Sequence, residues 1–165
     1  MKLSKLFLLS LIAFCFVACN AQTTFQNNPL NLVTTIPLPN VSGRIDHLTF
    51  DSKNKIVFVA ALGNNSVEVV DLKSDKVIHT IKNLSEPQGL AFIPESNSLA
   101  IANCSNGSCD VFNTRTFQKT TSIHLGEAAD KLRYDATDKK LYVGSELGDI
   151  EMNDTTTFKL TTQRT

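Results

Sequence analysis

Residues 57–81 read VFVAALGNNSVEVVDLKSDKVIHTI. Short runs rich in Val, Ile and Phe alternate with period two, and Asn64-Asn65 breaks them as a turn former would. Working outward, the same pattern recurs at a step of 42 residues: Leu48-Thr49-Phe50, Leu90-Ala91-Phe92 and Leu132-Arg133-Tyr134 are in phase. So are Val57-Phe58-Val59, Leu99-Ala100-Ile101 and Leu141-Tyr142-Val143. A third set follows as Val67-Glu68-Val69, Cys109-Asp110-Val111 and, one residue early, Ile150-Glu151-Met152, and residues 77–81 are echoed by 119–123. Each repeat therefore holds four short strands bounded by turns such as Asp51-Ser52-Lys53-Asn54 and Ser105-Asn106-Gly107. A helical repeat of this length needs apolar residues at helical spacing over more than ten positions, and none is present.

Four antiparallel strands joined by tight turns make a sheet with two apolar faces, which must stack against neighbours on both sides. Radial stacking meets that need and predicts an all-β fold: a partial β-propeller of four-stranded antiparallel blades with a 42-residue repeat. Val67 and Val69 are expected on one face and Glu68 with Val70 on the other, because adjacent strand residues point to opposite sides. The blades are expected at about 45–81, 88–125 and 130–165, within an incomplete propeller over 31–165, with a closing strand at 32–38. About three blades is fewer than the four to eight that close a propeller, so a truncated chain or self-association is expected. Blade three looks eroded: Arg164 stands where Ile81 and Ile123 stand, and Asn153 replaces Val70 and Phe112, so its fourth strand is expected to pack poorly.

The first residues, MKLSKLFLLSLIAFCFVACNAQ, place Lys2 and Lys5 before an apolar run from Leu6 to Ala18, interrupted by Ser10. This is an export signal, shorter than the roughly 20 apolar residues that span a bilayer. Val17-Ala18-Cys19 resembles a bacterial lipobox, which makes 1–18 a lipoprotein-type leader, Cys19 the acylated residue and 19–30 a flexible tether. Ala18 to Ala21 equally offer small residues to an ordinary signal peptidase, so the chain is read as a periplasmic or outer-membrane lipoprotein or, alternatively, as secreted. Net charge is zero with Lys and Arg scattered singly, which gives no nucleic-acid surface. Membrane contact is expected only through the lipid anchor. Cys104 and Cys109 flank Ser105-Asn106-Gly107-Ser108, and in an exported chain they are expected to form a disulfide.

Residues 57–81, with GRIDHLTFD at 43–51, EPQGLAF at 86–92 and LRYD at 132–135, resemble the YVTN-type, YncE-like β-propeller repeat. Such repeats pair an aromatic-Val strand with a Val-x-Val-x-Asp strand. The resemblance covers 32–143 and implies an exported propeller acting as a binding protein, with quinoprotein dehydrogenase and lactonase propellers among the relatives. From Glu146 onward the pattern departs from the family's.

Residues just before each innermost strand face the centre of a propeller, and here they are polar. Asp46, Gln88 and Asp130 share one repeat position, flanked by Arg44 and His47, by Glu86, and by Lys131. Carboxylates, an amide and cations converging there would hold a polar ligand or a metal ion, or would serve as loop residues that cap strands. His47 is the residue suited to proton transfer or ligation near neutral pH, but strand alternation is expected to turn it away from Asp46. His79 and His124 fall on outer strands and are expected to be exposed. No haem-attachment, nucleophile-elbow, phosphate-loop or His-Glu-x-x-His motif is present, so no cofactor is called for. The reading is a non-enzymatic module binding a protein or small molecule. The alternative is a metal-dependent lactonase-like hydrolase or a quinoprotein-related oxidoreductase.

Overall fold

The computed structural model describes residues 30–125, 128–145 and 148–164. The leader at 1–18, Cys19 and the tether up to residue 29 lie outside them. Contacts divide the chain into residues 1–35 and 36–165, and all the described strands belong to the second unit. Leu30, Leu32 and Val33 are exposed, and residues 32–38, expected as a closing strand, are in no strand.

Three four-stranded antiparallel sheets follow one another along the chain, each with its strands in sequence order. Blade one is β1 (Leu48–Asp51), β2 (Ile56–Ala61), β3 (Ser66–Asp71) and β4 (Lys76–Ile81). Blade two is β5 (Pro87–Ile93), β6 (Ser98–Asn103), β7 (Ser108–Asn113) and β8 (Lys119–His124). Blade three is β9 (Ala129–Asp135), β10 (Lys140–Ser145), β11 (Ile150–Asp154) and β12 (Lys159–Arg164). This is the partial propeller that the repeat predicts.

Side-chain chemistry at the hairpins sets the turns. Asp51 Oδ1 accepts from the N–H groups of Lys53 and Asn54, both at 3.1 Å. Asp71, Asn113, Asp135 and Asp154 make the same kind of local bond two residues on. Such Asx turns give the backbone a local partner where the ladder ends. Each is followed by a residue in the left-handed region, at Lys55 and Lys139 and at Asp75, Phe117 and Phe158. Bulky residues avoid that region at a cost of about 1–2 kcal/mol. Phe117 and Phe158 offset it by packing against the core between blades one and two and between blades two and three, respectively.

Two hydrophobic seams hold the blades together. Phe58, Ala60, Val67 and Val69 of blade one meet Leu90, Leu99, Ile101 and Phe112 of blade two. Ala91, Ala100, Ala102 and Cys109 on the other side of blade two meet Leu132, Leu141 and Val143 of blade three. Glu68, on the face opposite Val67 and Val69, is buried and accepts hydrogen bonds from Ser66 Oγ (2.8 Å) and Thr80 Oγ1 (2.6 Å). Asp110 repeats this in blade two, accepting from Ser122 Oγ at 2.6 Å and from Asn103 Nδ2 at 3.1 Å.

One expectation is corrected here. No bond joins Cys104 to Cys109. The strand partner of Cys109 is Ala102, while Cys104 lies beyond the end of β6 in a short 3-10 turn, so the two are not opposite each other. Burial pushes the Cys109 thiol up to about 12, with the neighbouring Asp110 charge adding to the effect. In blade three β12 pairs with β11 from Ile150↔Arg164 to Asp154↔Lys159. A backbone ladder does not require the apolar side chain that blades one and two supply. Asn153, however, is fully buried with neither amide atom hydrogen-bonded.

Candidate functional site at the inner-strand bulges

The strands β1, β5 and β9 are the innermost of their blades, and each begins with an irregularity at one repeat position. In blade one the Asp46 N–H donates to the Ala60 carbonyl, and the Ala60 N–H donates to the His47 carbonyl, both at 2.9 Å. Two residues thus oppose one, which is a β-bulge. In blade two the register passes from Pro87↔Asn103 to Leu90↔Ile101, leaving Gln88 and Gly89 opposite Ala102. In blade three it passes from Ala129↔Ser145 to Lys131↔Gly144, leaving Asp130 as the extra residue. Asp46, Gln88 and Asp130 are therefore the bulge residues of successive blades.

A bulge interrupts side-chain alternation and re-aims what it carries. That overturns the expectation that Asp46 and His47 point apart. Nδ1 of His47 lies 2.5 Å from Oδ1 of Asp46. This is a close contact without hydrogen-bond alignment, since the buried Nδ1 has no hydrogen-bond partner. The other carboxylate oxygen of Asp46 receives the Arg44 guanidinium. The Asp46 side chain is 8% exposed, against 66% for Arg44, so the carboxylate is inside and its cation outside. Blade three repeats this order: Lys131 Nζ, largely exposed, sits 3.2 Å from the more buried Asp130 Oδ2. In blade two Gln88 is half-buried. Glu86 is exposed and sits in the left-handed region, its N–H donating to Asn65 Oδ1 at 2.8 Å. His79 is exposed as expected and stacks on Phe117, with ring centroids 4.2 Å apart. His124 is exposed too.

Gly89 went unnoticed in the sequence, although it holds the repeat position of His47 and Lys131. A Cβ there would lie 2.6 Å from the Asp130 carbonyl oxygen and 2.8 Å from the Leu132 nitrogen. The bulges of blades two and three are thus in backbone contact, and only glycine permits it.

The arrangement suits polar recognition, with each bulge carboxylate already paired to its own cation. Among the described residues no group of three His, Cys, Asp or Glu side chains comes together to hold a metal. Two clefts lie elsewhere. One, of about 400 Å³, runs between the turns of blades one and two and is lined by Asp51, Phe58, Phe92 and Arg115. The other, of about 470 Å³, lies on blade one and is lined by Asn40, Asn65, Glu68 and Lys82.

No family model and no curated protein matches this sequence. Solved structures do match the fold. Hydrazine synthase of Kuenenia stuttgartiensis aligns with a TM-score of 0.69 at 20% identity, over 81% of this chain and 38% of that one. Sqt1 of Saccharomyces cerevisiae aligns at 0.64 and 12% identity, over 71% and 33%. The RRP9 WD40 repeats align at 0.66 and 16% identity, over 74% and 40%. The fold is therefore that of a β-propeller with four-stranded antiparallel blades. The chain spans two-fifths or less of the length of each of these structures.

Proposed function

We propose that this chain is an exported, non-enzymatic binding module of the YVTN type, which takes a polar ligand or a protein partner at its inner-strand bulges. The observation that carries this reading is the recurrence of the bulge, with a polar residue at Asp46, Gln88 and Asp130, in all three blades. Ladder irregularities cost hydrogen bonds, and proteins place them where a side chain has to be re-aimed. Cations outside and carboxylates inside give both donors and acceptors at one end of the inner strands. The repeat pattern of 57–81 supports the YVTN assignment. The Lys2–Ala18 leader supports export, with acylation at Cys19 or ordinary cleavage as its two outcomes.

The test is ligand-observed NMR of the purified chain against a panel of polar metabolites, repeated with Asp46→Ala, Gln88→Ala and Asp130→Ala together. Binding lost in the triple variant with unchanged circular dichroism supports the reading, and binding that survives places the site elsewhere. Metal analysis separates the alternative, because a stoichiometric bound metal would favour a metal-dependent enzyme.

A further inference from the structure

The two seams differ at one pair of repeat positions. In the second seam Glu95, on the turn between β5 and β6, accepts from the Tyr134 hydroxyl of blade three at 2.7 Å, so a side-chain bond bridges the blades there. One repeat earlier the same two positions hold Lys53 and Phe92, which cannot make that bond. The cleft of about 400 Å³ lies at this place, lined by both residues and by Phe58, Ile78 and Phe117. Phe58 and Phe92 stack with ring centroids 6.1 Å apart. The charges in the lining are unevenly used. Asp51 is buried, its Oδ1 taken by the N–H groups of Lys53 and Asn54 and its Oδ2 by Asn54 Nδ2 at 2.7 Å. Lys53 and Arg115 are exposed, and among the described residues neither forms an ion pair. Arg115 Nη2 has a long bond to Asn97 Oδ1, at 3.4 Å.

We propose that this cleft is a second binding site, for a small organic anion that joins an aromatic ring to a carboxylate. The ring lies against Phe92, Phe117 and Ile78, and the carboxylate is taken by Arg115 and Lys53. Two cations against one carboxylate that is already hydrogen-bonded leave the mouth net positive, so an anion is favoured over a neutral molecule or a cation. The guanidinium of Arg115 presents a planar fork that matches a carboxylate bidentately. The apolar part of the lining supplies a face for a ring, and aromatic pairs in offset or edge contact gain beyond their area. The volume falls in the range of about 300–1,000 Å³ typical of small-molecule sites. Every lining residue belongs to blade one or blade two. The cleft opens where β1 and β5 end, at Asp51 and Pro94, whereas the bulges of Asp46 and Gln88 lie where those strands begin. The two sites are therefore separate.

Amide NMR of the purified chain titrated with hydrocinnamate tests this, with hydrocinnamide as the neutral counterpart and acetate as the anion without a ring. Saturable shifts are expected at Lys53, Asn97 and Arg115 with hydrocinnamate, and binding at least about tenfold weaker with the other two probes. Arg115→Gln and Lys53→Gln, both at exposed positions, should each weaken hydrocinnamate by about tenfold with unchanged circular dichroism. Lys53→Glu with Phe92→Tyr installs the bridge of the second seam and should abolish binding without lowering the urea midpoint. The absence of saturable shifts, equal affinity for hydrocinnamide, or binding indifferent to Arg115→Gln and Lys53→Gln combined would overturn the proposal. The triple variant Asp46→Ala, Gln88→Ala and Asp130→Ala should still bind hydrocinnamate, so this site and the bulge site fail independently.

Discussion

Blade two and blade three follow one strand plan and are buried differently. In blade two every residue of β6 is buried, Leu99 to Ala102 with no exposure at all. In β10 of blade three burial alternates: Leu141 and Val143 are inside, and Tyr142 between them is half-exposed. The backbone is the same, so the difference comes from neighbours. Blade two lies between two blades, whereas blade three has a described neighbour on one side. In such an array stability resides in the seams as much as in the sheets.

The strongest way to break this comparison is to truncate one residue of each kind. Ile101→Ala, in the first seam at zero exposure, should cost about 2–5 kcal/mol in urea denaturation. Ile150→Ala, at a residue 53% exposed, should cost less than about 0.5 kcal/mol, as for a surface position. Equal losses would mean that exposure does not report the seam. Gly89→Ala probes the contact between bulges. Its Cβ has backbone on two sides, so about 1–3 kcal/mol should be lost. A neutral result would show that the bulges move apart freely.

Asn153→Val sharpens the comparison in the other direction, by giving blade three the residue that blade one carries at this position. Removing a buried amide without partners should stabilise the chain by about 1–3 kcal/mol, read as a higher denaturation midpoint. A loss instead would show that the amide has a use here. The smallest effect is at Tyr134, whose hydroxyl donates to Glu95 Oε2 of blade two at 2.7 Å. Burial, then the Glu95 bond and charge, push this phenol up to about 12. An acid with a raised folded-state pKa stabilises the fold while it stays protonated. That contribution is therefore present below the ordinary tyrosine value near 10 and is lost as pH rises from there to about 12. Ultraviolet titration of phenolate in wild type and Tyr134→Phe should show the late-titrating group only in wild type.

The repeat made the fold legible, because three copies of Leu-x-aromatic and of Val-x-Val fix strand number, order and pairing without any long-range inference. The bulges were hidden by that same regularity. An extra residue present at one position in every repeat leaves the 42-residue step unchanged, so alignment of the repeats carries no trace of it. Asp46, Gln88 and Asp130 were found by polarity, but the meeting of Asp46 with His47 depends on the bulge and was missed. The opposite case confirms the logic: blade three runs one residue early at β11 alone, and that slip was visible. The cysteine spacing misled because it fits a hairpin whose arms meet at Cys104, whereas the paired strand ends one residue earlier at Asn103.

Phe117 and Phe158 extend this picture from space into time. Each sits at the turn between the third and fourth strands of its blade and reaches backward, against the core shared with the blade that precedes it in the chain. A newly synthesised blade of this kind thus arrives carrying a ring that fits a surface already made. At these two turns the chain is latched from its N-terminal side.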